Sequence, residues 1–182
     1  MSNPWNSCFL PESPVVIKAL ARSKDPKGVV KAEQILLELE SAFANGQASL
    51  RPDVRTYSSV INACAYCSGG PTERREALVI ALRTFRKMRK TKSNAAPNAV
   101  TYGTLLKAVN NLMPVSAERD NLVERFFQRC CKEGCVGSFV LTQLRLVSPE
   151  LYLDVTKGVG ASSDKVALLR QLPVSWTQNR ID

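Results

Sequence analysis

The strongest constraint on this chain is a repeat within it. Asp53-Val-Arg-Thr-Tyr-Ser-Ser-Val-Ile-Asn-Ala and Asn98-Ala-Val-Thr-Tyr-Gly-Thr-Leu-Leu-Lys-Ala each follow a proline, Pro52 and Pro97, and share the pairs Thr56-Tyr57 and Thr101-Tyr102. Tyr57, Val60, Ile61 and Cys64 fall at i, i+3, i+4 and i+7, and Tyr102, Leu105, Leu106 and Val109 repeat that spacing. A helix of 3.6 residues per turn gathers such positions on one face, so both segments read as short amphipathic helices. A weaker copy runs through Val16, Ile17 and Leu20. A second helix follows each copy, with apolar rows at Ala32, Ile35, Leu36 and Leu39, at Ala81, Thr84, Phe85 and Met88, and at Val123, Phe126, Phe127 and Cys130. A helical pair with one apolar stripe cannot bury it alone, so neighbouring pairs must stack. The expected fold is all-α.

Turn-forming stretches separate these helices: Ala44 to Ser49, Cys67 to Thr72 and Thr91 to Pro97. Beyond Ser138 the pattern weakens. Phe139 to Val147 reads as one more first helix, Ser148-Pro149 as a break, and Glu150 to Lys157 as a short closing helix. Gly158 to Ser163 reads as a linker or turn, followed by a helix over Ala167 to Leu172 and a Trp176 that either docks on the final repeat as a cap or stands exposed alone. The expected layout is a poorly ordered extension over residues 1–13, a repeat domain of three to four helical pairs over 14–147, and a capping segment over 148–182.

The 182 residues suit one domain of ordinary size. Lys and Arg number 25 against 16 Asp and Glu, a net charge of +9 that favours a polyanionic partner over a neutral small molecule. The complete absence of histidine removes Ser-His-Asp and Cys-His catalysis together with His-containing zinc sites. Cys64-x-x-Cys67 and Cys130-Cys131-x-x-x-Cys135 have spacings that a thiolate metal site could use. Cys64 and Cys130 also lie on the apolar rows, where a thiol packs as a small hydrophobe. The expectation is packing, with no metal and no cofactor. No run approaches the ~20 apolar residues of a membrane span. The first fourteen residues hold no Lys or Arg, so no transit peptide is read there: either there is none, with the cytoplasm or nucleus as the alternative compartment, or the sequence lacks its true start.

Pro52-Asp53-Val-Arg-Thr-Tyr-Ser-Ser-Val-Ile-Asn-Ala with Ala81-Leu-Arg-Thr-Phe-Arg-Lys-Met resembles the two helices of a pentatricopeptide repeat, and Pro97-Asn-Ala-Val-Thr-Tyr-Gly-Thr-Leu-Leu opens a second such unit. The resemblance covers about residues 14 to 147. It implies a right-handed α-solenoid of stacked antiparallel hairpins that binds single-stranded RNA in RNA processing, stability or translation, in a mitochondrion or plastid, reading about one base per repeat. The reading pairs it implies are Ser58 with Asn98, Gly103 with Ser138, and Pro14 with Asp53 in the first copy. Ser-Asn is similar to pairs the family uses for adenine. Gly103 has no side chain to read with, and Pro14 no donor. Arg55, Val100 and Val140 match positions that sandwich bases. Asp53 and Asn98 also have the residue types of helix N-caps, so a capping role stands beside the reading role. The basic run Arg83, Arg86, Lys87, Arg89, Lys90 and Lys92 lies on a second helix, where a solvated face is expected.

Two other functions follow from the same residues. A short helical stack can hold a protein partner instead of RNA, which the interrupted reading pairs favour. An RNA-processing enzyme would need a two-metal carboxylate cluster or the His-x-Glu of a zinc deaminase, and neither pattern is present. The expectation is no enzyme, no small-molecule substrate and no membrane.

Overall fold

The computed structural model describes residues 13–90, 95–157 and 165–179, all of whose regular structure is helical. Residues 1–12 with Cys8, 91–94 with Lys92, 158–164 and 180–182 lie outside the described residues. The chain divides into two compact units, Met1–Ala96 and Pro97–Asp182, a boundary inside the span expected as one repeat domain. Each unit is described by itself.

The N-terminal unit holds α1 (Ser13–Ser23), α2 (Pro26–Ala44), α3 (Val54–Ala65) and α4 (Pro71–Lys90). We call α1 and α3 leading helices and α2 and α4 trailing helices. α1 packs on α2 and α3, α3 also packs on α2 and α4, and α2 packs on α4. Local chemistry sets the boundaries. Asp25 caps α2 by accepting from the Lys27 backbone N–H, with Pro26 at the first helical position. Asp53 Oδ1 caps α3, accepting from the Thr56 backbone N–H and hydroxyl, both at 2.8 Å. The expected apolar row of α3, Tyr57, Val60, Ile61 and Cys64, is buried throughout, as are Ala32, Leu36 and Leu39 of α2 and Ala81, Thr84, Phe85 and Met88 of α4. Ile35 of α2 is half-buried. Each fully buried aliphatic side chain of this kind contributes about 1.5–3 kcal/mol.

The C-terminal unit holds the leading helices α5 (Ala99–Leu112) and α7 (Ser138–Val147) and the trailing helices α6 (Ala117–Lys132) and α8 (Pro149–Thr156). Short helices α9 (Lys165–Gln171) and α10 (Val174–Thr177) follow. α5 packs on α6 and α7, α7 on α8 and α9, and α10 on α6. The row Tyr102, Leu105, Leu106 and Val109 is buried, and so are Val123, Phe127 and Cys130 of α6. α6 ends in a Schellman motif, with Cys135 N–H donating to the Cys130 carbonyl and Gly134 N–H to that of Cys131, both at 3.0 Å. This end needs a left-handed residue, and Gly134 supplies it at φ +68°. Trp176 docks here, the first of its two expected placements: its carbonyl accepts from Val136 N–H at 2.8 Å, and its indole meets Phe127 edge-on at 5.9 Å.

The Thr-Tyr pairs have structural work in both units. Thr101, like Thr56, closes the cap of its helix. Tyr57 donates its hydroxyl to Glu40 at 2.9 Å, where Lys87 pairs with the same carboxylate. Tyr102 donates to Glu133 at 2.6 Å, with Arg129 at 3.7 Å from that carboxyl group. Burial, reinforced by Glu133, pushes the Tyr102 hydroxyl far above its ordinary range.

Candidate nucleic-acid interface

Each leading helix turns one stripe inward and leaves the opposite stripe open. On α3 the open stripe is Arg55, Ser58, Ser59 and Asn62, spaced i, i+3, i+4 and i+7, with Arg55 exposed and the others half-buried. On α1 it is Val15, Lys18, Ala19 and Arg22, all exposed. In the C-terminal unit it comprises Val100, Lys107 and Asn110 on α5, and Phe139, Thr142, Arg145 and Leu146 on α7.

These helices differ from the others in charge. α1, α3, α5 and α7 carry Lys18, Arg22, Arg55, Lys107 and Arg145 and not one Asp or Glu. The trailing helices α2, α4, α6 and α8 carry the acids Glu33, Glu38, Glu40, Glu73, Glu76, Glu118, Asp120, Glu124, Glu150 and Asp154, mixed with thirteen Lys and Arg. Each leading helix therefore presents its cations with no carboxylate of its own to repel a phosphate. Charge is also uneven along the chain. The N-terminal unit has 15 Lys and Arg against 8 Asp and Glu, and the C-terminal unit 10 against 8.

The basic run on α4 is partly neutralised. Arg83 pairs with Glu33 at 2.7 Å and Lys87 with Glu40, while Arg86, Arg89 and Lys90 are exposed.

Asn98 is the N-cap of α5. Its Oδ1 accepts from the Thr101 backbone N–H at 3.0 Å and from the Thr101 hydroxyl at 3.1 Å, which fills both lone pairs of that oxygen. Any contact from this amide to a base must therefore come from Nδ2, a donor only. Asp53 is engaged in the same way on α3. Replacing Asn98 with alanine should lower stability by about 1 kcal/mol, whereas serine, an equally good cap, should not. Chemical denaturation of Asn98→Ala and Asn98→Ser checks this. RNA affinity of the serine variant then reports the amide alone, with the helix start intact.

Ser58 belongs to the N-terminal unit and Asn98 opens the C-terminal one, so this expected reading pair is divided between units. Gly103 and Ser138 share the C-terminal unit but differ from expectation. The cap equivalent to Asp53 and Asn98 in α7 is Gly137, which makes no side-chain cap bond, and Ser138 is the first helical residue. The register of this copy therefore shifts by one. Gly137 takes the place given to Ser138, Thr142 matches Ser58 and Gly103, and Phe139 rather than Val140 matches Arg55 and Val100. Val140 is fully buried. The glycine cap explains the misreading, because it leaves no sequence signature for the helix start. Pro14 falls in the first turn of α1, and its side chain is outside the described residues.

Phe139 also explains Gly103. A Cβ on Gly103 would stand 2.2 Å from Cδ1 of the Phe139 ring, so the glycine is the seat on which the aromatic ring lies. Phe139 nonetheless keeps 36% of its surface open, and Val100 on the neighbouring helix is exposed as well. Residue type alone signals an exposed aromatic here only after α7 is in register.

The described cysteines are buried free thiols. Burial raises Cys64 and Cys130 far above the ordinary range, raises Cys131 from 9.0 to about 12, and raises Cys135. Among the described residues no group of three His, Cys, Asp or Glu side chains is placed to hold a metal ion. The unfolded thiols ionise near pH 9 while the folded ones keep their protons, so above that pH the folded state binds more protons and stability falls. The expected loss is about 1.4 kcal/mol per pH unit for each such thiol, absent below about pH 8. Urea titrations at pH 7.5, 9 and 10 measure it, and Cys64→Ala should flatten the slope by one thiol's share.

No helix among the described residues is long and apolar enough to cross a membrane. No family model matches the chain, and neither a curated protein nor a solved structure matches it.

Proposed function

We propose that this chain is a non-catalytic single-stranded RNA-binding protein of the pentatricopeptide-repeat type, a right-handed solenoid whose leading helices face the nucleic acid. The observation that supports this reading is where the acids lie: the four leading helices hold five cations and no acid, while the four trailing helices mix ten acids with thirteen cations. A polyanion meets no opposing carboxylate on the first set and ten of them on the second. In the N-terminal unit Arg55, Lys18 and Arg22 contact phosphate, and Ser58, Ser59 and Asn62 offer hydrogen bonds to bases or sugars. In the C-terminal unit Phe139 and Val100 offer a stacking surface. Stacking on aromatic side chains is worth about 1–3 kcal/mol per base and tolerates any sequence.

Gly103 cannot read a base, and its neighbour Phe139 covers it. Selection therefore rests on Ser58 and the Asn98 amide, with stacking supplying the remainder. Function in RNA processing, stability or translation within a mitochondrion or plastid belongs to the same proposal and rests on the resemblance of the Thr-Tyr repeats alone. Crosslinking and sequencing of RNA bound in cells tests the reading. An enriched single-stranded site supports it, and recovery no higher than that of an untagged control overturns it.

A further inference from the structure

In the N-terminal unit one trailing helix covers the flank of another: Arg83 of α4 reaches Glu33 of α2 at 2.7 Å, and Lys87 reaches Glu40. The buried rows of α2 (Ala32, Leu36, Leu39) and α6 (Val123, Phe127, Cys130) correspond position by position. In that correspondence Glu33 matches Glu124, Glu40 matches Cys131, and Ser41 matches Lys132. The flank of α6 that would receive a following helix is thus the one carrying Glu124, Cys131 and Lys132.

The trailing helix that follows here, α8, has 8 residues where α4 has 20. A groove of about 500 Å³ remains, lined by Leu151 and Val155 of α8, by Trp176, and by Phe127 and Cys131 of α6, which are buried and form its floor. Its wall is built in advance. Asn179 N–H donates to the Gly134 carbonyl at 2.9 Å, and the Asn179 amide to that of Glu133 at 3.0 Å, pinning the segment that holds Trp176. Leu151 and Val155, half-buried and spaced i, i+4, give the groove an apolar edge of the spacing that meets an amphipathic helix.

We infer that this groove receives an amphipathic helix from a protein partner, with a basic residue facing Glu124 and an acidic residue facing Lys132, about 12 Å further along α6. The way α4 meets α2 supplies the first half of that chemistry. Lys132, standing where α2 has Ser41, supplies the second. The inference is independent of RNA binding and uses the opposite helices.

The test uses the full chain and a labelled peptide copying Pro71–Lys90, alone and with Lys87→Glu. When Arg83 of the peptide stands opposite Glu124, its residue 87 falls at Cys131 beside Lys132. Fluorescence anisotropy should show saturable binding of both peptides, with the Lys87→Glu form about tenfold tighter. Glu124→Lys, at an exposed position that folding does not need, should weaken both about tenfold, and Leu151→Asp should abolish binding. RNA affinity should change by less than about threefold in both protein variants, the share of long-range attraction alone. Absence of saturable binding, equal affinity for the two peptides, or equal affinity of the Glu124→Lys and parent chains overturns the inference. A concentration-dependent dimer that Glu124→Lys disperses assigns the groove to a second copy of the chain and overturns it as well.

Discussion

The double variant Arg22→Glu with Arg55→Glu should bind single-stranded RNA about 100-fold more weakly than the parent chain at about 0.1 M salt, a difference of about 2.7 kcal/mol. Both side chains are exposed on leading helices, and neither helix carries an acid that already opposes RNA. Each reversal removes one phosphate contact and adds a repulsive charge. Each lost contact also removes about 0.7 from the slope of log affinity against log salt, so the double variant should be shallower by about 1.4. The matched control is Arg86→Glu with Lys90→Glu on α4, which changes net charge by the same amount on an exposed trailing-helix face. If RNA lies on the leading helices, the control loses less than about tenfold, the share of long-range attraction alone. Equal losses in the two variants would remove the case for a leading-helix face. Filter binding across a salt series with a mixed-sequence oligonucleotide measures both quantities.

Gly103→Ala should destabilise the chain by about 1–3 kcal/mol, although a glycine-to-alanine change inside a helix ordinarily stabilises by up to about 1 kcal/mol. The new Cβ would stand 2.2 Å from Cδ1 and 2.6 Å from Cε1 of Phe139, so the ring must leave its seat. In a Phe139→Ala background the obstruction is gone and the same change should become stabilising. The sign reversal is the diagnostic, because the cycle isolates the Gly103–Phe139 contact from helix propensity. Urea denaturation of the four proteins gives the coupling, expected at about 2 kcal/mol or more. If Phe139 stacks on a base, Phe139→Ala should also lose about tenfold in RNA affinity, corresponding to about 1.4 kcal/mol. A coupling near zero would mean that the ring does not rest on Gly103 in solution.

These two experiments probe different layers of the molecule, and the layers were unequally legible in the amino-acid sequence. Tyr57, Val60, Ile61 and Cys64, with their counterparts from Tyr102 to Val109, could be recognised as buried rows before any fold was known. Asp53 and Asn98 could be recognised as caps by residue type and position, and both caps are made. The absence of acids from α1, α3, α5 and α7 was present in the sequence too, but it becomes visible only once helix boundaries sort the residues into two sets. The placement of Ser138 and Val140 failed because Gly137 caps α7 without a side chain. A helix start with no polar cap has no local mark, and a shift of one residue turns each side chain by about 100° around the helix.

What the sequence determined by itself is therefore local: the helical pairs, their apolar rows, their polar caps and the excess of positive charge. These depend on interactions within one or two helical turns, which the order of residues encodes directly. What only the tertiary structure decided is which exposed residue lies on which neighbour. The seating of Phe139 on Gly103 and the groove left by a short α8 beside α6 are of this kind. Both depend on contacts between separate helices, where packing geometry rather than spacing along the chain selects the partners.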